Sequence, residues 1–301
     1  MRYFQILQRG KSQLAVEVSD GTLVNLTSIT PHASSVFDLL KAAAIVREDI
    51  DRVASAIVDS GAGSLLSLDE IHENSALANQ GPLIDLPLIP PEVWGVGVTY
   101  QDSMRERQAE SETPDVYAMV YSAERPEVFF KGTPSRVVAP YDDVGIRADS
   151  DWNVPEPELA FVLFDGEIVG YTVGNDMSSR SIEGSNPLYL PQAKVYDRSC
   201  SIGPCFVTPN TVGDAQNLRV SMGINRRDKE VFLGTTSTNS MIRDCKYLAD
   251  WLQRHNPVPD GTVVLTGTGI IPPPEFTLED GDLISIEIES IGKLVNTAVV
   301  V

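Results

Sequence analysis

Histidine is scarce in this chain. His32, His72 and His255 are the three among 301 residues, and each is remote in sequence from the acidic stretch described below. A Ser-His-Asp triad or a zinc site built on paired histidines therefore has little to draw on, and general-base chemistry falls to a carboxylate or a lysine. Cysteine is equally sparse: Cys200, Cys205 and Cys245 are odd in number and lack C-x-x-C spacing. That argues against a disulfide framework and for a reducing, cytoplasmic setting. Basic residues are few as well, 23 Lys and Arg against 42 Asp and Glu, for a net charge of −19. Such a surface repels nucleic acid and anionic membrane, so a small-molecule partner is expected. No apolar run approaches the ~20 residues that span a bilayer, and the N-terminus does not read as a signal sequence.

What the chain does have is a dense acidic segment, DSDWNVPEPELAFVLFDGEIVGYTVGNDMSSR. Side chains alternate along a strand, so Glu156 and Glu158 project from one side. The apolar run LAFVLF reads as a buried strand, Asp165 and Gly166 supply turn chemistry, and EIVGYTVGND returns as a second strand ending at Asp176. Three carboxylates at the edge of an apolar hairpin repel unless neutralised, and a hard divalent cation with oxygen ligands does so. The segment thus reads as a magnesium site, the alternative being a solvated acidic rim. The register is left open. A strict two-residue turn pairs Glu156 with Asn175 and turns Asp176 to the other face. A three-residue loop, a bulge, or a strand that has already ended would bring Asp176 back.

Along the rest of the chain, residues 3–8 and 13–27 read as short strands with a hairpin at Asp20 and Gly21, followed by one helical pattern from Ser35 to Ser60 that Gly61 to Gly63 ends. The proline-rich text PLIDLPLIPPE marks a boundary, giving a small N-terminal α/β domain, 1–82, and a β-rich catalytic domain, 91–301. The second unit opens with a strand entering a charged helix, VWGVGVTYQDSMRERQAESE. Lys131 follows two phenylalanines at a strand end, either as a site cation or snorkelling to solvent. Lys194 lies in the mostly uncharged PLYLPQAKVYD, where burial beside carboxylates would compensate it. LRVSMGINRRDKEVFLGTT reads as a strand pair, and Met241, Cys245, Leu248 and Leu252 fall on one helical face as core. The T-G-T-G run does not match a nucleotide-binding loop, although small residues at a strand end permit close approach to backbone amides.

In this order VPEPELAFVL, GYTVGNDMSSR, Lys194, SIGPCFV, DGTVVLTGTG and LEDGDLISIEIESIGKLVN resemble the fumarylacetoacetate hydrolase superfamily from about Pro91 to Val301. RPEVFFKGT, the E-P-E pair and NPLYLPQAK are most similar to its sugar-acid dehydratase branch, acting on 2-keto-3-deoxy-D-arabinonate. The resemblance implies an α+β, mainly β fold: a mixed β roll with its site in an open mouth, beside a small N-terminal domain. It implies that Glu156, Glu158 and Asp176 bind Mg2+, with Mn2+ or Ca2+ as alternative ions, and that Lys194 acts as general base or directly stabilises the enolate. Glu127 is the candidate acid with Glu106 second, while Lys131, Arg180 and Thr268 are candidate substrate contacts. A homodimer or homotetramer is usual for such proteins. The C–C hydrolases of the superfamily carry G-x-N-Y-x-x-H-x-x-E; here GVTYQDSMRE has Ser103 in place of the histidine and keeps Glu106. The water-activating dyad lacks its base. Dehydration of a 2-keto-3-deoxy sugar acid to 2,5-dioxopentanoate is therefore the expected reaction. A hydrolase or decarboxylase of a 2-oxo acid or diketone is the alternative, and a cation that merely holds the fold is a third reading.

Overall fold

The computed structural model describes residues 1–101 and 119–301. The charged helix expected after Tyr100, with Ser103 and Glu106, lies largely outside the described residues. Two cores flank one large mixed sheet. Its central strands, Pro157–Phe164, Glu167–Asp176 and Cys200–Val207, are antiparallel neighbours and almost wholly buried. Val263–Leu265 extends the sheet antiparallel to Pro157–Phe164, Val93–Gly97 joins it in parallel, and Glu127–Gly132 closes that side antiparallel.

Alternation along Pro157–Phe164 explains why the sheet is covered twice. Leu159, Phe161 and Leu163 pack into one core. That core also holds Val220, Met222, Ile224, Ile284, Ile286 and Ile288 of a second sheet and Leu248 and Leu252 of the helix Cys245–Gln253. Ala160 and Val162 face the other core, with Leu39, Leu40 and Ala43 from the N-terminal region. A strand buried on both faces must be apolar almost throughout, as LAFVLF is. Glu156 and Glu158 share the Ala160 side, at the end of the strand where the apolar cover stops.

The N-terminal hairpin forms as the turn residues dictate, with strands Lys11–Ser19 and Thr22–Asn25 flanking Asp20 and Gly21. The single helix expected over 35–60 is instead two, Val36–Val46 and Ile50–Ser60. Arg47 adopts a left-handed conformation with φ 57°, and the Asp49 side chain caps the second helix by accepting from the Asp51 amide. Asp49 is an N-cap residue inside an otherwise continuous apolar period, and the cap overrides the period. The expected boundary near residues 82–91 does not interrupt the sheet. Strand Arg2–Gln8 pairs with Cys200–Val207 through Arg2 opposite Val207 and Tyr3 opposite Phe206, so N-terminal strands extend the same ladder.

Candidate active site

The hairpin resolves its own register through a bulge. Asp165 and Gly166 form the two-residue turn, both with positive φ, and Phe164 faces Glu167. Leu163 then pairs with Ile168 but Val162 pairs with Gly170, leaving Val169 as an extra residue on one strand. Beyond that bulge the pairing is advanced by one. Pro157 faces Asn175, and Glu156 and Asp176 exchange both backbone hydrogen bonds, at 3.2 and 3.0 Å. Glu156, Glu158 and Asp176 thus share one face, and each offers an oxygen within 4.8 Å of the others. All three are buried.

Like charges this close in a low-dielectric setting require compensation, and three buried cations provide it. The Lys194 Nζ lies 2.5 Å from Glu156 Oε2 and 3.0 Å from Asp176 Oδ2, and donates to Ser178 Oγ at 2.5 Å. Lys131 Nζ lies 2.5 Å from Asp176 Oδ1 and donates to the Met177 and Lys194 carbonyls at 2.8 and 2.5 Å. Arg180 Nη2 lies 3.0 Å from Glu156 Oε1. Glu158 accepts from the Gly267 amide at 2.6 Å, so the T-G-T-G run presents a backbone amide to a carboxylate of the cluster.

A narrow recess of about 20 Å³ opens over this cluster, enough to seat an ion or a water molecule. Among the described residues it is lined by the three carboxylates, Lys194, Glu127, Glu183, Thr268, Gly267 and an apolar wall that includes Val96, Phe129 and Leu190. Lys194, Glu127 and Thr268 therefore meet where sequence reasoning put them. Lys131 and Arg180, expected at the substrate, are not in the lining; both are buried behind the carboxylates they pair with. Strand pairing sets Glu127 opposite Gly97, and a Cβ on Gly97 would collide with the Glu127 carboxylate. None of the three histidines lines the recess. His72 is instead in the helix Leu68–Leu77, where its Nδ1 lies 2.8 Å from the Tyr141 hydroxyl. One lining residue escaped the sequence reading: Glu183 sits in S-I-E-G with no spacing signal to mark it.

The donor set suits a hard cation: three carboxylates, with neither imidazole nor thiolate in the recess lining, match magnesium or manganese rather than zinc. Burial, reinforced by the charges of Asp176 and Glu156, lifts the Glu158 carboxyl well above the usual carboxylate range. In the metal-free protein that raised group stabilises the fold below the ordinary carboxylate range, and its contribution is lost as pH rises through the raised value. Magnesium requires the ionised form. The rise in Tm on adding Mg2+ should thus grow as pH increases through this window, and Glu158→Gln should flatten the trend. Thermal melts with and without Mg2+ across a pH series measure it; an increment that shrinks with rising pH would contradict the assignment.

Fold and site together define a mainly β enzyme with a lysine beside a buried cluster of three carboxylates that could hold a metal ion. The chain belongs to the fumarylacetoacetate hydrolase family: the family model for the fumarylacetoacetate (FAA) hydrolase C-terminal region matches residues 92–299. It is 47% identical over 301 residues to a probable 2-keto-3-deoxyxylonate dehydratase of Haloferax volcanii, covering 100% of both chains. It is 36% identical to 2-dehydro-3-deoxy-D-arabinonate dehydratase of Saccharolobus solfataricus, over 98% of this chain and 95% of the other. A solved structure of 2-keto-3-deoxy-D-arabinonate dehydratase complexed with magnesium and 2,5-dioxopentanoate superposes with a TM-score of 0.79 at 30% identity, over 100% of this chain and 99% of that one. The mainly β architecture read from the sequence is the one found.

Proposed function

We propose that the protein is a magnesium-dependent hydro-lyase that dehydrates a 2-keto-3-deoxy pentonate, such as 2-keto-3-deoxy-D-arabinonate, to 2,5-dioxopentanoate. The observation that carries this reading is the buried Lys194 ammonium set against two of the three clustered carboxylates, with Glu127 in the same recess. Full-length similarity to two sugar-acid dehydratases supports it. Glu156, Glu158 and Asp176 hold the magnesium; when bound, it acts as a Lewis acid on the 2-oxo group and makes the C3 hydrogens acidic.

Lys194, as the neutral amine left once its own proton has passed to solvent, takes the C3 proton and becomes the ammonium. Its Nζ is fixed by Glu156, Asp176 and Ser178, so the base is held in place before substrate arrives. Glu127 gives a proton to the C4 hydroxyl as the C4–O bond breaks, and water leaves. The remaining 3,4-unsaturated 2-oxo acid loses a C5 proton and gains one at C3, and the enol so formed ketonises to the C5 aldehyde. Lys131 and Arg180 act one layer back, holding Asp176 and Glu156 in position, while Thr268 contacts substrate at the recess wall. Glu106 is the second candidate acid and lies outside the described residues. The three free, buried thiols suit a cytoplasmic protein, and a homodimer or homotetramer is proposed by analogy with the family.

The reaction makes an isotopic demand. In deuterated water the product must carry solvent deuterium at C3 and C4, with all five carbons retained. Cleavage of a diketone into two acids, faster than dehydration, would instead establish a hydrolase.

A further inference from the structure

Behind the recess, the edge of the sheet carries a second opening. Along the strand Glu127–Gly132, Glu127 and Phe129 line the recess, whereas the intervening Val128 lines a cleft of about 230 Å³. Side chains alternate along a strand, so the two openings lie on its opposite faces. The cleft lining combines Trp94, Leu252 and Trp251, the last two from the helix Cys245–Gln253, with Arg125 and Asn256.

Two guanidiniums converge on one ring there. Arg125 Cζ lies 4.6 Å and Arg254 Cζ 3.8 Å from the centre of the Trp251 indole. Both arginines are exposed, and neither side chain has a hydrogen-bond or ion-pair partner among the described residues. Elsewhere this acidic chain sets several guanidiniums against carboxylates, as with Arg147 on Asp149, Arg198 on Asp143 and Arg226 on Asp282. Two like charges held on one ring repel, and the helix end beside Arg254 supplies only about half a negative charge. Stacking on an aromatic ring engages the face of a guanidinium and leaves its N–H edge for an anion.

We propose that this cleft binds a compact organic phosphate, with the Arg125 and Arg254 edges on the phosphomonoester and the apolar lining against its body. A phosphate offers three acceptor oxygens and can serve two guanidiniums at once, whereas one guanidinium fork takes both oxygens of a carboxylate. Glu92, which accepts from the Trp94 indole N–H at 2.9 Å, is outside the lining and does not oppose the anion there. Binding in the cleft is independent of the dehydratase reading.

The probe is phenyl phosphate, titrated by calorimetry into metal-free protein at pH ~7.5 and ~0.15 M salt, where the ester is a dianion and charges beyond about 8 Å are screened. Without a metal, the carboxylates of the recess repel the probe, so the heat reports the cleft. Wild type should bind with a Kd below about 1 mM. Arg125→Gln and Arg254→Gln should each stay folded and weaken binding about tenfold or more, the loss expected for a charge-assisted hydrogen bond. Benzoate, which keeps the ring with a single charge, and inorganic phosphate, which keeps the charge without the ring, should each bind wild type at least about tenfold more weakly than the ester. Absence of binding at about 10 mM phenyl phosphate overturns the proposal, as does a folded double variant that binds it as wild type does. Inorganic phosphate or benzoate binding as tightly as the ester also overturns it, the first by showing an unselective anion patch and the second by removing the need for a phosphate.

Discussion

Lys194→Met is expected to lower kcat by about 10³-fold or more, in the upper part of the range for a positioned acid–base group, while the protein remains folded and binds magnesium. The lysine is the one cation lining the recess among the described residues, and methionine keeps the length of its stem without the amine. Its loss also removes a partner from Glu156 and Asp176, so the metal-free variant should melt lower than wild type and regain more on adding Mg2+. Kinetics on 2-keto-3-deoxy-D-arabinonate, with calorimetric titration of Mg2+, measure both effects. A variant retaining a tenth of wild-type turnover would remove Lys194 from the chemistry. A borohydride-trapped adduct on wild-type Lys194 would replace proton abstraction with a Schiff-base mechanism.

Lys131→Met is expected to act on stability instead. The Lys131 side chain is fully buried, and its Nζ serves Asp176 and the Met177 and Lys194 carbonyls. Removing one member of a buried ion pair leaves an uncompensated charge, at a cost of about 3–5 kcal/mol. That is a large fraction of the ~5–15 kcal/mol by which domains are stable. Denaturant melts should show the loss in metal-free protein, with part of it restored by Mg2+, since the ion supplies charge to Asp176. KM should change little in whatever fraction stays folded. If Lys131 contacts substrate, the opposite pattern appears: a raised KM with an unaltered melt.

The chemistry of the site was legible because it depends on side-chain type and local spacing. The E-x-E pair lies two apart on a strand, the D-G turn follows six apolar residues, and histidine is too scarce for the common alternatives; each is a property of a few neighbouring residues. The order of motifs along residues 92–299 carried the family as well. What lay within reach but was misread is the helical segment at 35–60, where Asp49 marked a second start inside a continuous apolar period.

The register of the acidic hairpin was a different kind of question. The turn sequence favours one pairing and the clustering of the three carboxylates needs another, and the extra residue at Val169 reconciles them. A bulge forms where the ladders on both edges of a strand and the packing on both faces jointly tolerate it, and those partners are Pro157–Phe164 and Cys200–Val207, which reach the strand only once the sheet is assembled. The depth of the cations has the same origin. A lysine at a strand end can snorkel to solvent or turn inward, and Lys131 turns inward because Asp176 and two carbonyls distant in sequence converge on it. Sequence by itself determined the family, the mainly β fold and the proximity of the paired glutamates. Tertiary structure decided which face they share and which cations lie behind them, because both depend on contacts between segments that no local pattern encodes.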